Sequence, residues 1–571
     1  MTKDFFYALF NEADSYRSLE IIEEILEKSG DLSNVPIQPL YMVFKNQPAA
    51  KAGEWLPKLS HEQRQLFLDL DLWEKDELDV EAFTYWIEAY HSCPSDEVKK
   101  EFLTSESFTL YLKGRFNIWT FDVDDPQYPD HDNYFLTDDS LLLFEFDEEF
   151  QFVNEVRQLI RELYGILGVE AAYAHIFKIV SDSFSVILEE EYRMKKERLR
   201  DVGVIDYFEA IELDSPFVNQ SILDHFIKNK KAISPELDNF TKNQTLHSAA
   251  LIPYREKMND FSSEMIKVKS SKRNDYLRFS FIRLVNITLA SNRALKDGSL
   301  AINRVGQKTR NSLQLGLNYL NEISRLKGDI ALKPEETVLE YFDFVEVYRI
   351  GLSLIRFLQK DAKKVLREYN FNHDNESFLG GHWNEFLDHF LDSPPKIHSN
   401  TSSKAEDIIS LDHLSLADKN LQTFVQLMPF MYKMYNAFTE LKANGRLQDS
   451  FYLNYAVEEI DFEAIILSSF ANFHLGHLKE NSAEKLGLTI DEFRRFASWL
   501  IDEEGNLSFN DDVKKQLFSF LKSFGLDRIS NIEDYFFNLF KRHIEGYDYK
   551  NLDEHEFKHV GGPIILNNLA Q

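Results

Sequence analysis

The stretch that decides the fold is residues 53–93, which read GEWLPKLSHEQRQLFLDLDLWEKDELDVEAFTYWIEAYHSC. It holds Trp55, Trp73 and Trp86, three of the six tryptophans in the chain. Aromatic side chains at this density bury a large apolar area and anchor a core or an interface. We therefore expect these three tryptophans to be structural residues around which the first half of the chain packs.

Two helices are predicted within this stretch. Ser60 followed by Gln63 has the form of a capping box, which predicts a helix that begins at His61. Asp79 is expected to cap the second helix. The buried face of that helix should consist of residues at helical spacing, namely Val80, Phe83, Ile87 and Tyr90. Residues 69–73 read DLDLW and are expected to form a short connector, so the stretch specifies a helical hairpin.

The composition of the whole chain favours an all-α fold. Its 571 residues include 21 glycines and 15 prolines, well below the usual shares of about 7% and 5%. Doubly wound α/β enzymes use glycine in phosphate loops and tight turns, so a chain with few glycines and long periodic segments favours helices. We predict an all-α helical array in two halves, with one β-hairpin inserted at about 116–146.

The two halves are expected to be separate domains. Periodicity is weak and polar residues are frequent from Pro216 to Asp260, with Pro235 and Pro253 as helix breakers. We predict an N-terminal helical domain at 1–213 that carries the hairpin, a connecting segment at 214–260 and a C-terminal helical domain at 261–571.

Charge and cysteine content narrow the possible partners and the compartment. With 64 basic and 95 acidic residues the net charge is −31, and such a chain repels nucleic acid and anionic lipid on average. Cys93 is the only cysteine, which excludes an intramolecular disulfide and favours a reducing compartment. No run approaches roughly 18 uncharged apolar residues, so no membrane span is predicted. A cytoplasmic protein is expected.

Four blocks of the sequence resemble an uncharacterised bacterial family of unknown function, of the kind found in delta-proteobacteria and their relatives. They are LPKLSHEQRQLFLDLDLWEKDELD at 56–79, EEEYRMKKERLRDVGVIDYFEAIEL at 189–213, VEVYRIGLSLIRFLQKDAKK at 345–364 and FEAIILSSFANFHLGHLKENSAEKLGLTIDEFRRF at 462–496. Together they touch both halves of the chain, and the resemblance implies no activity. Residues 53–80 also look like the helical repeats in the cytosolic domain of bacterial magnesium transporters.

Two groups of residues are candidate metal ligands. The acidic loop with Asp122, Asp124, Asp125 and Asp132 offers the oxygen ligands that hard divalent cations prefer, but it lacks the spacing of an EF-hand and has the pattern of a solvated loop. Glu463, His474 and His477 are spaced to share one face of a helix and could hold zinc or iron. Histidines near a helix end more often cap carbonyl groups.

The densest cluster of histidine and aspartate includes His373, Asp374, His382 and His389. Histidine–aspartate pairs serve metal-dependent phosphohydrolases, and these four residues are the candidate catalytic set if the protein is a hydrolase. The competing interpretation is that the polar residues here provide turn and capping interactions before a helix.

Charged residues form two further patterns. Residues 189–201 alternate in sign, which is typical either of a solvated helix with i,i+4 ion pairs or of one whose Arg193 and Arg198 bridge to another helix. Residues 251–310 hold 13 basic against five acidic residues. Lys272, Arg273, Arg278 and Arg283 are therefore candidate anion-binding residues, although neutralisation by the chain's own acidic helices is the favoured alternative.

The sequence carries no phosphate-binding loop, dinucleotide fingerprint, nucleophile elbow or zincin helix, so no cofactor is expected. We expect a non-enzymatic interaction or scaffold protein that binds a protein partner and could form a homo-oligomer. The alternatives are a metal-dependent hydrolase that uses the His373–His389 cluster, a sensor of divalent cations or phosphate, and a nucleic-acid contact through 251–310.

Overall fold

The computed structural model describes residues 24, 32, 35, 37–232, 259–326, 336–372, 375–398, 404–478, 487–502, 505–546, 549, 552, 555–558 and 564–568. Within these residues the protein is mostly α-helical, with a few short antiparallel strands. The predicted all-α class with a minor β insertion is therefore confirmed.

The contacts of the chain cluster into two compact units. Unit 1 comprises residues 1–217 and 222–350, and unit 2 comprises residues 218–221 and 351–571. The predicted connecting segment at 214–260 lies in large part outside the described residues, so the predicted domain boundaries stay a prediction.

From Ile37 to Arg115, unit 1 contains six α-helices and two short strands. They are α1 (Ile37–Lys45), α2 (Ala49–Trp55), α3 (His61–Asp71), β1 (Trp73–Glu74), β2 (Glu77–Leu78), α4 (Phe83–His91), α5 (Asp96–Leu103) and α6 (Glu106–Arg115). Helix α2 packs directly on α4. Gly53 permits this close approach, because a Cβ atom there would overlap the carbonyl oxygen of Ala89.

The predicted helical hairpin is present, with two differences. The capping box at Ser60 and Gln63 is formed and α3 begins at His61. However, α3 continues to Asp71, and β1 and β2 make a small antiparallel hairpin in place of an irregular connector. Asp79 accepts a hydrogen bond from the Ala82 amide at 3.1 Å, but a turn follows and α4 begins only at Phe83. The predicted face is otherwise correct, since three of its four residues, Phe83, Ile87 and Tyr90, are buried.

The predicted β-hairpin is a three-stranded antiparallel sheet. Its strands are β3 (Asn117–Thr120), β4 (Tyr134–Leu136) and β5 (Leu142–Glu145), in the order β3-β5-β4. Phe116, which precedes β3, packs on Phe135 of β4 and Phe144 of β5. The rings of Phe135 and Phe144 are stacked with their centres 5.0 Å apart. The third strand was missed because each segment is only three or four residues long.

The remaining elements described in unit 1 are helices. They include α7 (Val153–Leu167), α8 (Val169–Ser181), α9 (Phe184–Asp201), α10 (Tyr207–Leu213), most of α11 (Gln220–Lys228), α12 (Asn259–Ile266), α13 (Ser271–Ser291), α14 (Ala294–Asp297) and α15 (Ser299–Leu326). The boundary with unit 2 falls inside α16 (Phe344–Glu368).

Unit 2 contains α17 (Gly381–Leu391), β6 (Lys396–His398), β7 (Ala405–Asp407), α18 (Leu411–Ala443), α19 (Phe462–His474), α20 (Ile490–Leu500), α21 (Asp511–Ser523) and α22 (Ile532–His543). Strands β6 and β7 form an antiparallel hairpin. Aromatic rings dominate the core of this unit, where Phe470 contacts Phe496, Phe520, Phe536 and Phe540.

Among the described helices, none is long and apolar enough by itself to cross a membrane. Helices α8 and α9 reach the length and apolar composition of a membrane-spanning helix only when they are taken together, and the chain bends by 100° between them.

The three tryptophans of the opening stretch are all buried. Trp55, Trp73 and Trp86 are 7%, 5% and 0% exposed, respectively. The ring of Trp86 contacts Phe67, Tyr85 and Tyr90, and its Nε1 donates to Asp71 Oδ2 at 2.7 Å.

Replacement of Trp86 by alanine is expected to lower the free energy of unfolding by about 3–5 kcal/mol, because a buried aromatic ring and a buried hydrogen bond are lost together. Urea titration of both proteins measures this difference. The control is Trp119→Ala, since Trp119 lies on β3 and is 38% exposed. An unchanged stability in Trp86→Ala would show that this stretch does not organise the unit.

Candidate functional site

Helix α9 carries a charged face that is turned into the protein. Glu191, Lys195 and Leu199 recur every fourth residue and are buried, so they lie along one side of the helix. This side packs on α3 and α6. Burying an ionised group costs free energy unless the group is paired. Glu191 and Lys195 therefore need partners inside the protein.

Arg198 on α9 provides the pairing. Its Nε donates to Asp69 Oδ2 at 2.7 Å and its Nη2 donates to Asp69 Oδ1 at 2.8 Å, a bidentate bridge to α3. The same Nη2 donates to Glu191 Oε1. Of the two interpretations of this segment, the bridge to another helix is therefore correct for Arg198. Arg193 instead pairs locally with Glu190 at 3.8 Å on the exposed side.

Burial and pairing act in opposite directions on these groups. Burial raises the pKa of the Asp69 carboxyl, and the bonds from Arg198 oppose that effect. Burial likewise raises the pKa of Glu191, again against the attraction of Arg198. For Arg198 burial favours the neutral form, but the bonds to Asp69 and Glu191 outweigh it and raise the pKa. The guanidinium group therefore holds both carboxylates.

Lys195 is the second cation of this face. Its Nζ lies 5.0 Å from the centre of the Trp73 ring and 4.9 Å from that of Tyr192, and it donates to the carbonyl oxygen of Lys75 at 3.3 Å. Burial lowers the pKa of Lys195 from 10.5 to about 8. The Tyr192 hydroxyl continues the network by donating to Asp206 Oδ2 at 3.1 Å.

A tight turn ends α9 and leads to α10. Gly203 has φ 77°, a left-handed conformation that glycine adopts without strain. The Gly203 amide donates to Arg200 O at 3.0 Å and the Val204 amide to Leu199 O at 2.9 Å, which is a Schellman motif. Asp206 then caps α10 through the Phe208 amide. Gly203 and Asp206 thus fix the angle between the two helices.

Helix α13 completes the site. Phe279, Ile282, Arg283 and Asn286 are spaced i, i+3, i+4 and i+7, so they occupy one face of the helix. Asn286 is buried and donates from Nδ2 to the Gly203 carbonyl oxygen at 2.7 Å. Between this face, the outer side of α9 and the turn at 202–206 lies a groove of about 890 Å³. We call it the α9–α13 groove.

The apolar residues that line the α9–α13 groove, which we call its floor, are buried or half-buried except Val186. The charged ones, which we call its rim, are mostly exposed, although Asp206 is buried. The apolar residues are Val186, Val204, Ile205, Phe279 and Ile282. The charged residues are Glu189, Glu190, Arg193, Lys196, Glu197, Arg200, Asp206, Glu209 and Arg283. Lys196 Nζ lies 3.4 Å from Asp206 Oδ1. A cavity of this volume is in the size range of ligand-binding sites, although its lining is more highly charged than that of a typical small-molecule pocket.

The four predicted anion-binding residues have different surroundings. Arg283 lines the groove, whereas Lys272 and Arg278 are exposed elsewhere on α13. Arg273 is buried and donates to the carbonyl oxygens of Leu339 at 2.8 Å and Phe342 at 2.9 Å. The structure does not bring the four together into one cluster.

Two further basic residues of the segment 251–310 form ion pairs with acidic residues of unit 1. Arg293 Nη1 lies 2.7 Å from Glu74 Oε1, and Lys296 Nζ lies 3.3 Å from Asp79 Oδ2.

The acidic loop joins β3 to β4 at the surface. Asp122, Asp124, Asp125 and Asp132 are all exposed, and Asp122 Oδ1 accepts a hydrogen bond from the Asp124 amide at 2.9 Å, as in an Asx turn. Groups of three potential ligands close enough to share a cation do not occur in this loop among the described residues.

Glu463, His474 and His477 do not meet. Glu463 is 2% exposed, and its Oε2 lies 2.9 Å from His543 Nε2. His474 instead stacks on Trp499 with ring centres 3.8 Å apart, and His477 Nε2 lies 3.1 Å from Glu492 Oε1. The carboxylate is thus at one end of α19 and the two imidazoles are at the other.

Of the predicted hydrolase residues, His373 and Asp374 lie outside the described residues. His382 packs against Trp383 and Tyr535, and burial lowers its pKa to about 4. Its backbone amide donates to Glu463 Oε1. His389 lies two turns further along α17 and contacts His398, so His382 and His389 have different neighbours.

The α9–α13 groove was not predicted from the sequence. Its signals were the Gly203 and Asp206 caps, which end one helix and begin the next, and the periodic face of α13. The partnership of Asp69 and Arg198 left no such signal, because 129 residues separate them.

The buried Lys195 predicts a stability that depends on pH. Its folded-state pKa is about 8, below the unfolded value of 10.5, so between these values the unfolded chain binds the additional proton and stability rises with pH. Wild type should therefore gain up to about 3 kcal/mol relative to Lys195→Met between pH 7 and 11.

Urea titrations at several pH values test this. The control is Lys100→Met, which removes an exposed lysine on α5 and should follow wild type over the same range. A difference between wild type and Lys195→Met that stays constant with pH would contradict the placement of this lysine.

Comparison with known proteins identifies the relationship of the chain. A sequence model of the family of unknown function DUF6178 matches residues 18–560, which include all four blocks described above. No curated protein and no solved structure matches the chain. The predicted resemblance to a family of unknown function is confirmed, whereas the likeness to magnesium transporters stays a prediction. The chain belongs to the family of unknown function DUF6178.

Proposed function

We propose that the protein is a non-enzymatic cytoplasmic interaction protein that binds a polypeptide segment of a partner in the α9–α13 groove. The observation that carries this proposal is the lining of the groove, an apolar floor enclosed by charges of both signs on a rigid support. Interfaces between proteins have this organisation, with an apolar centre and a polar rim.

The floor offers apolar area that a partner could cover. Phe279 and Ile282 on α13 are half-buried, and Val186 on α9 is 61% exposed. At about 25 cal/mol per Å² of apolar surface removed from water, side chains inserted between these residues would contribute most of the binding free energy. Two or three apolar anchors of a helix or an extended segment would suffice.

The rim favours a polypeptide over a polyanion. It presents four cationic side chains against five carboxylates, so its net charge is close to zero. Nucleic acids gain affinity by releasing counterions at an excess of cationic groups, and this rim has no such excess. A segment that carries charges of both signs around apolar residues matches it better.

Arg283 is the polar anchor of the groove. It is half-buried and, among the residues that the structure describes, it makes no hydrogen bond or ion pair. A guanidinium group that is partly desolvated gains substantially from a carboxylate, and arginines of this kind are frequent at binding hot spots. The partner segment should therefore place an acidic residue beside its apolar anchors.

Helix α9 forms one wall of the groove, and the contacts of Lys195 and Arg198 on its buried side hold it in place. Tyr192 and Asp206 line the groove and are hydrogen-bonded to each other. Tyr192 also contacts Lys195, and Arg198 fixes α9 to α3. A wall that is ordered before binding loses less conformational entropy when a partner docks. This favours the groove over the more exposed surfaces of the same unit.

Selection of peptides from a displayed random library against the full chain, followed by fluorescence anisotropy, tests the proposal. The selected peptides should combine apolar and acidic residues. Ile282→Asp should weaken them at least about 10-fold, or 1.4 kcal/mol, because it places a carboxylate on the floor. Arg283→Glu should do the same for their acidic residue and restore binding when that residue is changed to lysine.

The matched control is Ile266→Asp. Ile266 lies on α12 of the same unit, is 84% exposed and does not line the groove, so this variant should bind as wild type does. The melting temperatures of all variants are compared to exclude unfolding. Peptides that bind equally well to Ile282→Asp, or micromolar binding of a polyanion that Arg283→Glu abolishes, would overturn the proposal.

A further inference from the structure

Three potential metal ligands meet on one side of unit 2. Glu385 and His389 are four residues apart on α17 and therefore lie on the same face of that helix, and His398 is on β6. One ligand atom from each lies within 4.8 Å of the other two, and all three side chains are half-buried. Among the described residues no other group of this kind occurs.

A backbone carbonyl group determines which ring nitrogen of His389 carries a hydrogen. His389 Nδ1 lies 2.8 Å from the Glu385 carbonyl oxygen, which can only accept a hydrogen bond, so Nδ1 carries the proton. The lone pair of the ring is then on Nε2. Histidine ligands of metal ions commonly use this arrangement, in which one nitrogen donates to a carbonyl group and the other binds the ion.

The second imidazole is close to the carboxylate without a well-directed hydrogen bond to it. His398 Nε2 lies 3.0 Å from Glu385 Oε1, yet this nitrogen has no hydrogen-bond partner among the described residues and is shielded from solvent. Ligand atoms around a tetrahedral zinc ion are roughly 3.3 Å apart, given bond lengths near 2.0 Å. The two atoms are thus already at a suitable separation.

A third contact orients the carboxylate. Glu385 Oε2 accepts a hydrogen bond from Arg542 Nη1 on α22 at 2.6 Å. This holds the other oxygen, Oε1, on the side of the two histidines. Bonds of this type around metal ligands reduce their freedom and raise affinity.

We propose that Glu385, His389 and His398 bind a divalent transition-metal ion of the zinc class. Two imidazole nitrogens and one carboxylate oxygen are the ligand set that zinc accepts, whereas calcium and magnesium select oxygen alone. Three protein ligands leave a fourth position for water or another group. Bound metal would also fasten the hairpin of β6 and β7 to α17. The site lies wholly within unit 2 and does not depend on the proposed function of the α9–α13 groove.

Titration of the full chain with Zn²⁺ in competition with a chromophoric chelator tests the site. Wild type should bind one equivalent with a submicromolar Kd. His389→Gln and His398→Gln should each weaken binding by about 100-fold or more, since loss of even an outer contact costs 10- to 100-fold. Arg542→Met, which removes only the orienting contact, should cost about 10-fold.

The control is His413→Gln. His413 is also half-buried, with Nδ1 3.0 Å from the Asp407 carbonyl oxygen and Nε2 3.8 Å from Glu406 Oε2, but it is outside the proposed ligand set. It should retain wild-type affinity. Circular dichroism without metal verifies folding, and visible absorption of the Co²⁺ form gives a second measure of coordination. Equal Zn²⁺ affinity in all variants, or no stoichiometric binding by wild type at micromolar concentration, would overturn the proposal.

Discussion

The bidentate bridge between Asp69 and Arg198 is the contact on which unit 1 depends. Asp69 and Asp71 are two residues apart on α3 and therefore point about 200° apart around its axis. Asp69 binds Arg198 on α9. Asp71 accepts hydrogen bonds from Tyr41 at 2.6 Å, Lys45 at 2.8 Å and Trp86 at 2.7 Å. One turn of α3 thus connects α1, α4 and α9 through buried charges.

This arrangement explains why a charged helix can form the wall of a groove. The inner face of α9 is satisfied by Asp69 and by the aromatic surroundings of Lys195, so its outer face is held in a fixed orientation. Buried ion pairs are often no more stabilising than apolar packing, but the bidentate contact of Arg198 with Asp69 constrains how the two helices align. We infer that this contact sets the register of α9 against α3 and, with it, the position of the α9–α13 groove.

Local signals in the sequence were sufficient for much of the fold. The capping box at Ser60 and the helical spacing around Ile87 each depend on residues close together in the chain, and both were interpreted correctly. The three tryptophans are buried, and their organising role stays a prediction. Residues 69–73 were predicted as a connector, but the helix continues to Asp71, because the buried Asp69 and Asp71 are paired with residues distant in the chain. Likewise, His389 was predicted as a candidate catalytic residue of a hydrolase, whereas in the structure it contacts His398 on the β6–β7 hairpin.

A double-mutant cycle on Asp69 and Arg198 tests the central claim most directly. Arg198→Met should cost about 3–5 kcal/mol of unfolding free energy, because it leaves two buried carboxylates without their partner. If the bridge sets the position of α9, Asp69→Asn with Arg198→Met should cost at least about 2 kcal/mol less than the sum of the single variants. Additivity within about 0.5 kcal/mol would contradict the account, because it would mean that the two residues stabilise the unit independently.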